Sequence, residues 1–92
     1  MKKSDLIETI AKENTHLYVS DIERIVSIIL DKITQSLSEG NRVELRGFGV
    51  FSTRIRKARE AHNPKTGEMV QVKEKAVPFF NAGKNLKKRI NL

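Results

Sequence analysis

The chain has no cysteine and no tryptophan, and its only aromatic residues are four phenylalanines and one tyrosine. Without cysteine there is no disulfide framework, no thiolate metal site and no cysteine nucleophile, and a reducing intracellular compartment fits. So few aromatics leave the apolar area to Ile, Leu and Val. No run of about 18 apolar residues occurs, and no basic start leads into an apolar stretch, so a soluble protein without an export signal is expected. The signs of chemistry are equally thin. His16 and His62 are isolated, with no second ligand at metal spacing. "AGKN" at Ala82 to Asn85 lacks the glycine that a phosphate loop places five residues before its Gly-Lys pair; Pro78 stands there. No nucleophile elbow is present. No enzyme activity, cofactor or metal is expected.

Acid is scarce in one half of the chain only. Residues 1–40 hold 5 Lys/Arg and 7 Asp/Glu, whereas residues 41–92 hold 13 and 4, so a front of −2 precedes a back of +9. Charge gathered in this way marks a surface for a polyanion.

Leu6, Ile7, Ile10 and Ala11 repeat at helical spacing behind Ser4, a candidate cap. "SDIE" at Ser20 to Glu23 has the form of a capping box and predicts the start of a long helix. There Ile22, Ile25, Val26, Ile29, Leu30, Ile33 and Leu37 form one apolar stripe, widened by Ile28, until Gly40 stops it. A stripe so wide on a 92-residue chain predicts a dimer interface. After Gly40 the period becomes two. Val43 and Leu45 alternate with Arg42 and Glu44, and "GFGVF" turns a corner with Phe48 and Phe51 available for packing. "STRIRKARE" then becomes polar or basic on both faces, "NPKTG" makes a turn, and "EMVQVKEKAV" returns to Val77, giving a long hairpin. Phe79 and Phe80 are expected to re-enter the core before a short basic helix containing Leu86 and Ile90. The expectation is an α+β fold, a single domain over 1–92. It has a helical dimerisation region at 1–40, a three-stranded antiparallel sheet at 41–81 extended into a β-ribbon arm at about 54–74, and a C-terminal helix at 82–92.

From residue 54 to 65 the hairpin carries Arg54, Arg56, Lys57, Arg59 and Lys65 against the single acid Glu60, which suits a groove of duplex nucleic acid. Arginine enters a narrow minor groove and lysine serves the phosphates. Pro64 at the tip is the right kind of side chain to wedge between base pairs and kink the duplex.

"RGFGVF" at Arg46 to Phe51, then "RKAR", "NPKTG" and "VPFF…GKNLKKR", resembles the bacterial DNA-bending family that contains the histone-like protein HU and integration host factor, over essentially the whole chain. "HLY" and "GNRVELRGFG" resemble the beta-type subunit of integration host factor within it. The resemblance implies an intertwined dimer, either with an alpha-type subunit or with itself, bending double-stranded DNA in the cytoplasm as part of the nucleoid. Such bending would assist recombination, replication, transcription and translation regulation. It implies that Pro64 intercalates, that Arg56 and Arg59 track the minor groove, and that Asn63 and Gly67 shape the tip. Arg42, Glu44 and Arg46 match body positions beside the part of the site where sequence is discriminated, while Lys84 begins the last helix, where free backbone N–H groups suit a phosphate, and Lys87 is a further candidate DNA contact. The chain departs from the family at Ala61 and His62, where Gly-Arg is usual. An HU-like homodimer with little sequence preference, and an RNA-binding basic protein, are the competing readings.

Overall fold

The computed structural model describes all 92 residues. It comprises two compact units, Met1–Gln35 and Ser36–Leu92. In the first, α1 (Lys3–Glu13) precedes α2 (Val19–Ser38), which runs on into the second. Neither helix starts where the cap candidates predict. α1 begins at Lys3, so Ser4 lies inside it, and the end is closed by Asp5, whose carboxylate accepts from the Lys2 N–H at 2.8 Å. A lysine side chain has no acceptor, so only that half of a capping box exists. α2 begins one residue before Ser20, and the Asp21 and Ile22 N–H groups both donate to the Tyr18 carbonyl.

Lys3 Nζ donates to Ser27 Oγ at 2.8 Å, tying α1 to α2. Ile22 and Val26 are the only buried hydrophobic side chains of the chain. The rest of the Ile stripe is open: Ile25 is 52 % exposed, Ile28 50 % and Ile29 54 %. The stop at Gly40 forms as the sequence predicts. Gly40, at φ +79°, donates its N–H to Leu37, and Asn41 donates to Ser36, the paired bonds of a Schellman turn.

The second unit is built on one antiparallel sheet in the order β1-β2-β5, with β1 at Val43–Leu45, β2 at Gly49–Arg56 and β5 at Lys75–Ala82. A separate two-stranded ribbon pairs β3 (Arg59–His62) with β4 (Met69–Val72). The three-strand expectation thus holds for the sheet, and the long hairpin is split into an inner and an outer part. β5 passes through Pro78 to Ala82, one residue beyond the expected sheet boundary at 81. It is an edge strand, where a sheet tolerates proline.

The turn between β1 and β2 is closed by the Phe48 N–H donating to Leu45. Phe48, Phe51 and Phe80 meet there, with ring centroids 4.7 to 6.5 Å apart. Gly49 sits beneath them: a Cβ on it would lie 2.6 Å from Phe80 Cζ and 2.7 Å from the Asn81 carbonyl oxygen. Phe79 is not part of this cluster. Adjacent strand residues face opposite ways, so Phe80 turns to the other rings while Phe79 lies on the opposite face of the sheet. α3 (Lys84–Ile90) follows directly, two turns long, after the Gly83 N–H donates to Phe48.

Candidate nucleic-acid interface

The arm is one hairpin in constant register. Gly49 pairs with Ala82 and Arg56 with Lys75 in the sheet, while Arg59 pairs with Val72 and His62 with Met69 in the ribbon. Between the two ladders lie Lys57 and Ala58 on one side and Lys73 and Glu74 on the other, outside any strand. The interruption is equal on both sides, so the residue facing across the hairpin never changes.

This break is where charge gathers. A concavity of about 300 Å³ is lined by Arg56, Lys57, Arg59, Lys73 and Lys75, with Val72 the one apolar residue. Arg56 and Lys75 are direct cross-strand partners, and like charges in that position destabilise a sheet unless an anion lies between or beside them. None of the five is held in an ion pair; the salt bridges of the chain join Lys12 to Glu8 and Arg42 to Glu44. Of the acids of the arm, Glu60, Glu68 and Glu74, none is in a salt bridge with these cations; Glu60 is held by its cross-strand partner Gln71, whose Nε2 donates to Glu60 Oε1 at 3.1 Å. Five cations therefore face solvent with no protein acid committed to them.

The ribbon beyond is not polar on both faces as its sequence suggests. Arg59, Ala61, Val70 and Val72 share one face, with Ala61 and Val72 half-buried. Glu60, His62, Met69 and Gln71 share the other.

The tip is fixed by its own hydrogen bonds. The Asn63 N–H donates to Glu68 at 2.8 Å and the Gly67 N–H donates to Asn63 at 2.7 Å, closing the loop at its base. Asn63 Oδ1 accepts from the Lys65 N–H at 2.9 Å, the local bond that suits Asn to a turn. Gly67 has φ +73°, and His62 Nδ1 lies 3.4 Å from the Gly67 carbonyl oxygen. The result is a closed loop with Pro64 and Lys65 exposed on its outer side.

Arg42 lies just before β1, Glu44 on it and Arg46 just after it, apart in sequence from the arm. Arg42 and Glu44 pair at 3.1 Å, both about two-thirds exposed, a surface ion pair at the start of β1. Arg46 is exposed in the three-residue turn that follows. Lys84 is the first residue of α3, and Lys87, Lys88 and Arg89 fill its last turn with no acid in the helix. Arg54, still inside the sheet, has its guanidinium carbon 3.5 Å from the centroid of the Phe79 ring.

Lys73 and Lys75 are absent from the residues singled out by sequence. Counting backward from the turn would have found them, because a symmetric hairpin closed at Asn63 and Glu68 sets Lys75 opposite Arg56.

A family model described as bacterial DNA-binding protein matches residues 1–91. Among solved structures, HU of Anabaena in a cocrystal with DNA is 36 % identical, with 98 % of this chain and 97 % of that one covered and a TM-score of 0.89. HU of Thermotoga maritima is 28 % identical, with 98 % of both chains covered and a TM-score of 0.66. A mutant of transcription factor 1, solved in solution, is also 28 % identical, covering 99 % of this chain and 91 % of that one with a TM-score of 0.63. Three helices, an antiparallel sheet and a protruding ribbon are the features the chain shares with HU.

Proposed function

The chain belongs to the family of bacterial DNA-binding proteins, and from that premise we propose that it is an architectural protein whose dimer holds duplex DNA between two β-ribbon arms and bends it. The observation that carries this reading is the break in the arm, where five unpaired cations surround one concavity and Arg56 stands directly opposite Lys75. A phosphate backbone supplies the anions that this arrangement lacks, and counterion release supplies most of the affinity. Arg54, Arg56, Lys57, Arg59 and Lys65 line the duplex, with His62, Asn63 and Gly67 shaping the tip. Pro64 enters a base step, and Lys84 and Lys87 add phosphate contacts from the body. Binding of this kind places the protein in the cytoplasm with the nucleoid and assists recombination, replication, and transcription and translation regulation by bringing distant sites together.

Dimerisation is supported by the open face of α2. The folded chain leaves 8253 Å² exposed, where a monomer of this mass covering its own core would leave about 5,400 Å². Ile25, Ile28 and Ile29 are the natural seam. Ile28→Glu would set a carboxylate in it, and sedimentation should shift from dimer toward monomer or unfolded chain; an unchanged folded dimer would move the seam elsewhere.

Bending is tested with a short duplex carrying a fluorophore at each end. Wild-type protein should raise energy transfer between the ends, and its affinity should fall steeply between about 50 and 200 mM salt. Pro64→Ala should lower the transfer more than it lowers affinity, because unstacking a base step costs about a few kcal/mol that only the wedge offsets. A duplex that stays straight under wild-type protein would defeat the reading. Competition by RNA as effective as that by duplex DNA would replace it with an RNA-binding one.

Sequence preference divides two versions of this function. The pattern Arg42, Glu44, Arg46 favours a sequence-preferring protein like the beta-type subunit of integration host factor, paired with an alpha-type chain. The Arg42–Glu44 pair favours an HU-like homodimer with little preference, since it occupies the acid that would accept from a base. Selection of this chain alone from a random pool of duplexes distinguishes them. Enrichment that Arg46→Ala abolishes supports the first, and binding without enrichment supports the second.

A further inference from the structure

We infer that Phe79 is a positioning residue for DNA binding, holding the Arg54 guanidinium flat on its ring so that the guanidinium N–H donors meet a phosphate already oriented. The inference rests on the DNA-binding reading above. Arg54 pairs with Val77 and Phe79 with Ser52, which makes Arg54 and Phe79 diagonal neighbours on one sheet face, within reach of long side chains. The guanidinium carbon stands 3.5 Å from the ring centroid. A cation over an aromatic face is attracted by the ring, and stacking leaves the N–H groups directed outward along the guanidinium plane. Neither salt bridge of the chain includes Arg54, so no acid competes for those donors. Arg56 and Lys75 stand two residues further out on the same face, where the cations gather. Among these cations Arg54 alone is held by a ring. The apolar partners of the sheet do not need Phe79 there, since Phe48, Phe51 and Phe80 pack on the other face.

The test is a double-mutant cycle. Dissociation constants for a short duplex are measured across a salt series for wild type, Phe79→Leu, Arg54→Ala and the double variant, with urea melts to correct for the folded fraction. Phe79→Leu should weaken binding about two- to fivefold, the range of an exposed cation–π contact, and leave the salt slope unchanged. Arg54→Ala should lower the slope by about 1, and in that background Phe79→Leu should have no further effect. Phe79→Tyr, which keeps the ring, should bind as wild type. Equal weakening by Phe79→Leu in both backgrounds would show that the ring acts through packing, and a neutral Arg54→Ala would remove its phosphate; either overturns the inference while DNA binding stands. Absence of wild-type binding would overturn the functional reading and this inference together.

Discussion

The inner and outer parts of the hairpin share one register and differ in almost everything else. Near β1 the strands are held by three phenylalanine rings over a glycine that admits no Cβ. Beyond the break four residue pairs and a turn are held by backbone bonds, one Gln71–Glu60 contact and a few half-buried small side chains. A hairpin can therefore carry its stability at one end and its binding chemistry at the other. The inner end tolerates no change of volume; the outer end gathers like charge that a self-sufficient structure would avoid.

That division can be broken most severely at Gly49. Gly49→Ala drives a methyl into Phe80 and the Asn81 carbonyl, and overpacking of this kind costs about 3 kcal/mol. Urea unfolding should show the loss, while the fraction that remains folded binds duplex with wild-type affinity. A variant as stable as wild type would mean that the corner is looser than its geometry. The opposite result is expected from Arg56→Ala combined with Lys75→Ala. Stability should hold or rise slightly as a like-charge pair disappears, whereas the slope of log affinity against log salt should fall by about 2; loss of stability with an unchanged slope would assign this pair to the inner, structural half. The smallest effect belongs to Asn63→Ala. Removing the bond to the Lys65 N–H should cost about 1 kcal/mol, confined to the tip. Hydrogen exchange should speed up at Lys65 and stay unchanged near Phe51.

The elements that depend on local stereochemistry were legible from sequence. Gly40 reads as a helix stop because few other residues adopt its conformation, and "NPKTG" reads as a turn because Asn, Pro and Gly each contribute a separate preference. The helix starts were misplaced because Ser4 and Ser20 look like caps, while Asp5 and the Tyr18 carbonyl serve those ends. The interruption at Lys57–Ala58 and Lys73–Glu74 left no mark in composition. Phe79 was assigned to the core by its neighbour Phe80, and only pairing with Ser52 shows it on the other face. The basic arm was legible as a cluster in sequence, but Lys73 and Lys75 join it only through the register across the hairpin.

The equal break has a consequence for how such an arm changes length. An insertion of one residue into a single strand would invert that strand's faces alone, so that lengthening the strand of Arg59 would set Arg59 on the face of Glu60 while Val72 and Gln71 kept theirs. Insertions of two residues in both strands keep all faces in phase and lengthen the arm by about 7 Å, close to the rise of two base pairs along a duplex axis. The hairpin is thus a ruler graduated in steps of two residue pairs, and reach can be altered by whole steps without rewriting what the arm presents.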